Sequence, residues 1–143
     1  MGGPRLGQAC AEAAPQRVTL ILDTGGVSAL AARRARLAEL RRRGQWPPQV
    51  PTVVLVEVLT GDHRRDFHHN HLLSLCQLRP VTEDLARTAA QLRGRTRRPG
   101  NISATDAVVA SLATDHPGAV VLTSDPRDLR ALLEGSDTSV AAV

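Results

Sequence analysis

Apolar positions along the chain fall into short uninterrupted runs and longer spaced patterns, and the two kinds alternate from residue 18 onward. The run VTLIL at 18–22 has the length and β-branched content of a buried strand. Helical spacing follows from about Gly26 and again in RRARLAELRRRG, where Leu37 and Leu40 supply the apolar side and Gly44 ends the helix. QWPPQ reads as a turn. In VPTVVLVEVLTG the valines favour a strand, while the spacing leaves room for a strand ending near Pro51 and a helix capped by Thr52. DHRRDFHHNHLLSLC predicts a polar segment running into a helix, and LRPV a short strand.

The second half continues the alternation. Thr82, followed by Glu83 and Asp84, predicts a capped amphipathic helix through LARTAAQLRGR, ended by the turn RRPGN. Ser103 or Thr105 can cap ATDAVVASLATD, and His116-Pro117-Gly118 breaks that helix. AVVLTS predicts a strand, Pro126 opens the helix PRDLRALLEG, and SVAAV suits a closing edge strand. The alternation predicts an α/β fold with a mainly parallel sheet, whose ligands collect at the carboxyl ends of the strands. Residues 1–17 show no periodicity and are expected to form a flexible N-terminal extension, leaving 18–143 as one domain.

Composition narrows the chemistry. No apolar run approaches the ~18 residues of a membrane span, and the N-terminal stretch lacks the apolar centre of a signal peptide, so a cytoplasmic location is expected. Cys10 and Cys76 form no CxxC and are expected to be thiols without chemistry. Net charge is +4 with a pI near 10.8, which suits a polyanionic partner. All 18 basic residues are arginine. No mechanism that needs an active-site amine is therefore available.

Four acids stand in unusual places. Asp23 and Asp125 follow directly on apolar runs, where strands leave a core. Glu57 is the only charge in VVLVEVLTG, and Asp106 has Val109, Ala110 and Ala113 at i+3, i+4 and i+7, so both are expected on apolar helix faces. Taken singly, Asp23 and Asp125 read as helix N-caps and Asp106 as a first-turn acid; Glu57 fits no cap. Taken together they need a counter-charge, because carboxylates gathered without a cation must take up protons. With lysine absent, arginine or a divalent metal remains. Mg²⁺ or Mn²⁺ accepts a few carboxylates plus waters and leaves positions for phosphate.

The motifs ILDTGG, VEVLTG, SATDAVVASLA and VLTSDPRDL, in this order over Val18 to Val143, resemble the PIN-domain ribonucleases, and within them the small VapC toxins of toxin–antitoxin pairs. The resemblance implies a five-stranded parallel sheet flanked by helices and a Mg²⁺- or Mn²⁺-dependent endoribonuclease. It also implies a homodimer neutralised by a VapB-type antitoxin, through which alone the chain would meet DNA. Carried over by motif, Asp23, Glu57, Asp106 and Asp125 are the catalytic acids. By the same resemblance Asp23, Asp106 and Asp125 would be the metal ligands, the first two nearest the ion. Thr123 and Thr24 would be supporting hydroxyls and Asp128 an accessory acid. A water made acidic by the ion would attack an RNA phosphodiester in line, leaving 5′-phosphate and 3′-hydroxyl ends. One position departs: Gly25 stands where the family commonly shows Ser or Asn.

Other readings are weaker. Haloacid-dehalogenase-like phosphatases and response-regulator receivers also carry an aspartate after the first strand, but both rely on an active-site lysine. A P-loop NTPase needs a Gly-Lys pair that is absent. A PIN domain that binds RNA or protein without cutting is the alternative. Arg33, Arg34, Arg41, Arg42, Arg97 and Arg98 are either RNA contacts or the wet faces of helices. His63, His68, His69 and His71 read as a solvated surface rather than a Zn²⁺ site. Val54, Leu55, Val58, Leu59, Leu72, Leu73 and Leu75 fit either the core or an interface. An acidic site of this kind would also attract an arginine from the antitoxin, toward Asp23 and Asp106.

Overall fold

A computed structural model describes residues 18–143; the expected extension 1–17, with Cys10 in it, lies outside the described residues. Five strands make one sheet in the order β3-β2-β1-β4-β5, and every pairing is parallel. The strands are β1 (Leu20–Leu22), β2 (Gln49–Pro51), β3 (Gln77–Arg79), β4 (Val120–Thr123) and β5 (Ser139–Ala142). Leu20, Ile21 and Leu22 are all buried, as expected of a central strand covered on both faces. The edge strand β3 is exposed along its length.

Seven helices flank the sheet among the described residues: α1 (Thr24–Ala31), α2 (Arg34–Arg42), α3 (Val53–Val58), α4 (Phe67–Leu75), α5 (Glu83–Arg95), α6 (Ala104–Thr114) and α7 (Pro126–Leu132). A 3-10 turn, Pro99–Asn101, joins α5 to α6. The sequence accounts for most boundaries. Thr82 accepts the Leu85 N–H at 3.2 Å and starts α5, whose Leu85, Ala89 and Leu92 recur at helical spacing and are buried. Ser103, not Thr105, caps α6 by accepting the Asp106 N–H at 3.0 Å. That helix is buried continuously from Ala107 to Ala113 between the sheet and α5. Each fully buried Val or Leu there contributes about 1.5–3 kcal/mol relative to exposure. The Ser111 hydroxyl, buried with them, donates to the Leu85 carbonyl at 2.8 Å.

Several expectations shift. The first strand is three residues rather than five, and α1 begins at Thr24, two residues before Gly26, because Asp23 caps it. Thr52 precedes α3 as expected, but its side chain makes no capping bond. β3 lies one residue earlier than LRPV, with its start tied by the Gln77 N–H to the Pro48 carbonyl at 2.9 Å. Val54, Val58, Leu72 and Leu73 are core, while Leu55, Leu59 and Leu75 are half-buried. Cys76 is half-buried, and desolvation pushes its thiol up to about 12, far from reactive thiolate territory.

The loop between α3 and α4 is organised by Asp66. Its carboxylate is buried and accepts the Thr60 N–H (2.9 and 3.0 Å to its two oxygens), the Thr60 hydroxyl (2.9 Å) and the Gly61 N–H (2.8 Å). Hydrogen bonds from the Thr60 backbone, followed by those from its hydroxyl and from Gly61, hold this carboxyl below its ordinary range against the opposing effect of burial.

Candidate metal centre

Strand register brings the first pair of acids together. Leu22 is level with Leu122 in neighbouring β1 and β4, so the next residues, Asp23 and Thr123, emerge side by side at the carboxyl edge of the sheet. Here α1 and α7 leave the sheet, and the strand order reverses about β1, the switch point where α/β sheets gather ligands. Asp23 is buried and uses both oxygens: Oδ1 accepts the Gly26 N–H at 2.7 Å and Oδ2 accepts the Thr123 hydroxyl at 2.5 Å. It therefore caps α1 and bonds across to β4 at once. Thr123, wholly buried, accepts the Asp125 N–H on the same hydroxyl oxygen at 3.0 Å.

Asp125 is exposed and caps α7, its Oδ1 accepting the Arg127 N–H at 3.4 Å. Asp128 is half-buried in the first turn of α7. Asp106, in the first turn of α6, is also half-buried. Glu57 corrects the sequence expectation of an apolar face. It is exposed near the end of α3 beside Val56, itself 80 % exposed, while Val54 and Val58 take the core side. A six-residue helix buries one narrow stripe only, so an apolar run in sequence need not be apolar all round. Glu57 nonetheless reaches the group: its Oε2 accepts the Thr24 hydroxyl at 3.3 Å.

The acids act on one another. Burial, above all, raises the Asp23 carboxyl above its ordinary range; hydrogen bonds from Thr123, Gly26 and Gly25 oppose this, and the Asp125 charge adds to the rise. Asp106 is raised first by burial, against the Ser103 hydroxyl, and then by the charges of Asp23, Asp128 and Glu57. No arginine among the described residues pairs with them. The three ion pairs among the described residues, Arg36–Glu39 (2.8 Å), Arg43–Glu39 (2.7 Å) and Arg87–Glu83 (3.0 Å), all lie on other acids.

A hard divalent cation suits this all-oxygen, uncompensated set. Among the described residues, no three His, Cys, Asp or Glu side chains stand close enough to hold an ion together. An ion here would thus take one or two carboxylates directly and meet the others through water, a mode Mg²⁺ favours. The histidines His63, His68, His69 and His71 form no such group either.

The arginines stand apart from the acids. Arg33 and Arg34 follow the end of α1 opposite Asp23, roughly 12 Å of helix away. Arg41 and Arg42 end α2, Arg41 stacking on Trp46 with its guanidinium carbon 4.7 Å from the ring centre. Arg97 and Arg98 border Ala131 and Leu132, at the end of α7 opposite Asp125. All six are exposed. Sequence reasoning overlooked Asp66, Ser124 and the packing role of Gly25 and Gly26. The adjacent glycines of DTGG were the readable signal, since paired glycines at a helix start mark close approach of another chain segment.

A family model described as PIN domain matches residues 20–132. No curated protein sequence matches the chain. Among solved structures, the DNA-bound VapBC of Salmonella typhimurium is similar with TM-score 0.69 at 16% identity, over 87% of this chain and 98% of that one. VapBC2 of Rickettsia felis, bound to a promoter DNA fragment, gives 0.66 at 14% identity over 88% and 99%. VapBC-5 of Mycobacterium tuberculosis gives 0.55 at 20% over 90% and 100%. At these identities the likeness is one of fold.

Proposed function

The chain belongs to the PIN-domain family, and from that premise we propose that it is a Mg²⁺- or Mn²⁺-dependent endoribonuclease of the VapC kind, held in check by a VapB-type antitoxin. The observation that carries this reading is the uncompensated acidic group. Asp23 and Asp106 are raised by burial and by neighbouring carboxylates, and no described arginine pairs with any of them, in a protein of net charge +4. A fold does not gather unpaired carboxylates at a sheet switch point for stability's sake.

Asp23, Asp106 and Asp125 would hold the ion, no more than two of them directly and the rest through water, with Glu57 and Asp128 beyond them. When bound, the ion supplies an acidified water and charge stabilisation at phosphate. The remaining work falls to this chain's own groups. Thr123 fixes the plane of the Asp23 carboxylate, and the Gly26 N–H holds its other oxygen, so one acid is oriented before substrate arrives. Thr24 does the same for Glu57, whose exposed position suits it to take a proton from an incoming water. The exposed arginines Arg33 and Arg34 beyond α1, Arg41 and Arg42 at the end of α2, and Arg97 and Arg98 beside the end of α7 would hold RNA phosphates away from the acids.

The same reading includes a homodimer, a cytoplasmic location and DNA contact through the antitoxin alone. No helix among the described residues is long and apolar enough to cross a membrane. An antitoxin arginine reaching Asp23 and Asp106 would supply the missing positive charge and exclude the metal. One observation favours the second reading, a PIN domain that binds RNA without cutting it: the acids are too dispersed for three direct ligands. Cleavage of RNA by the purified protein with Mn²⁺ or Mg²⁺, set against EDTA and against Asp106→Asn, separates the two. Cutting that survives EDTA or the substitution would refute the nuclease mechanism, and no cutting by the native protein would leave the binding module.

A further inference from the structure

Two glycines open α1, and packing accounts for both. A β-carbon on Gly26 would stand 2.3 Å from the Leu122 carbonyl oxygen, so the first turn of α1 rests directly on the backbone of β4. At Gly25 the space is taken by a side chain. A β-carbon there would lie 2.0 Å from Ser124 Oγ, 2.7 Å from Ser124 Cβ and 2.9 Å from the Ser124 nitrogen. The Ser124 hydroxyl therefore lies over the first turn of α1, between the residues that follow Asp23 and the neighbouring Asp125.

Four hydroxyls border the acids, and three are committed to them. Thr24 donates to Glu57 at 3.3 Å and Thr123 donates to Asp23 at 2.5 Å. Ser103 accepts the Asp106 N–H at 3.0 Å. Ser124 is exposed, and its side chain takes part in no hydrogen bond with a described residue. Ionised carboxylates only accept hydrogen bonds, so a phosphate brought among them meets few donors. Resting on the reading that the substrate is RNA, we propose that Ser124 Oγ donates a hydrogen bond to a non-bridging phosphate oxygen of the bound strand, and that residue 25 is glycine to leave room for it.

The test is Ser124→Ala, which keeps the β-carbon that packs on Gly25 and removes only the hydroxyl. Three measurements are made beside the wild type: metal-dependent cleavage, affinity for a phosphorothioate oligoribonucleotide in Ca²⁺ by fluorescence anisotropy, and thermal midpoint with Mn²⁺ affinity by calorimetry. Cleavage efficiency and oligonucleotide affinity should each fall about ten-fold, the scale of one hydrogen bond to a charged group. Thermal midpoint and Mn²⁺ affinity should not change. Equal cleavage and equal affinity in both proteins would overturn the assignment of Ser124 and leave the nuclease reading intact. A fall in thermal midpoint or Mn²⁺ affinity would also overturn it, by showing that the hydroxyl serves the fold or the ion. If the wild type cuts nothing, the nuclease reading fails on its own, and the affinity comparison still decides: weaker binding by the variant upholds the contact, equal or absent binding ends it.

Discussion

The hydroxyl of Thr123 donates to Oδ2 of Asp23 at 2.5 Å, joining the ends of β4 and β1 across 100 positions of sequence. The same oxygen accepts the Asp125 N–H, so one buried side chain orients one acid and anchors the backbone of another. Thr123→Val keeps the shape and removes both bonds. It should lower unfolding free energy by about 1–3 kcal/mol, because a buried carboxylate oxygen and a backbone N–H lose their partner. RNA cleavage should fall with it, and Thr123→Ser should recover most of both. Urea denaturation and cleavage rates of the three proteins check this; a Val variant as stable as the wild type would show that the bond contributes nothing.

Asp106 gives the opposite sign. An acid whose folded pKa is raised binds more protons folded than unfolded, so stability falls as pH climbs from the ordinary value of about 3.9 through the raised one. Burial and the charges of Asp23, Asp128 and Glu57 place Asp106 in this class. Asp106→Asn should therefore raise the thermal midpoint at pH 7, with the gain vanishing near pH 3, while cleavage drops by about two orders of magnitude or more. A variant that is less stable at pH 7 would mean that the carboxylate serves the fold.

Metal should reverse that cost. With Mg²⁺ or Mn²⁺ at one hundred times its dissociation constant, the wild type should gain about 2.7 kcal/mol. The gain should shrink as pH falls and Asp23 and Asp106, both raised, take up protons in competition with the ion. Scanning calorimetry from pH 5 to pH 8 reads this directly. An Asp23→Asn/Asp106→Asn double variant should show no metal shift, and a full shift in that protein would place the ion elsewhere.

Asp66 should act on stability away from the chemistry. Its carboxyl is held below the ordinary range by Thr60 and Gly61, so its contribution is present above the unfolded value of about 3.9 and is lost as pH falls through the folded one. Asp66→Asn should lower the thermal midpoint at pH 7, with a difference from wild type that narrows below pH 4. Faster amide hydrogen exchange at Thr60 and Gly61 in the variant would tie the loss to this loop; unchanged exchange there would count against the clamp.

The sequence by itself determined the alternation of strands and helices, the all-arginine basic set and the placing of Asp23, Asp125 and Asp106 at strand ends and a helix start, because these depend on local periodicity, capping and composition. Ser103, Thr82 and Pro126 were readable as helix starts for the same reason: a cap acts over three or four residues. Tertiary structure alone decided the rest. Glu57 lies in an apolar run yet faces outward, because which side of a one-and-a-half-turn helix meets the sheet depends on the packing of Val54 and Val58. Ser124 and Asp66 carry no local signal: one is defined by the missing β-carbon of a residue 99 positions away on another element, the other by a loop that closes on it. The meeting of Ser124 with Gly25 follows from strand register, and register is a property of the assembled sheet.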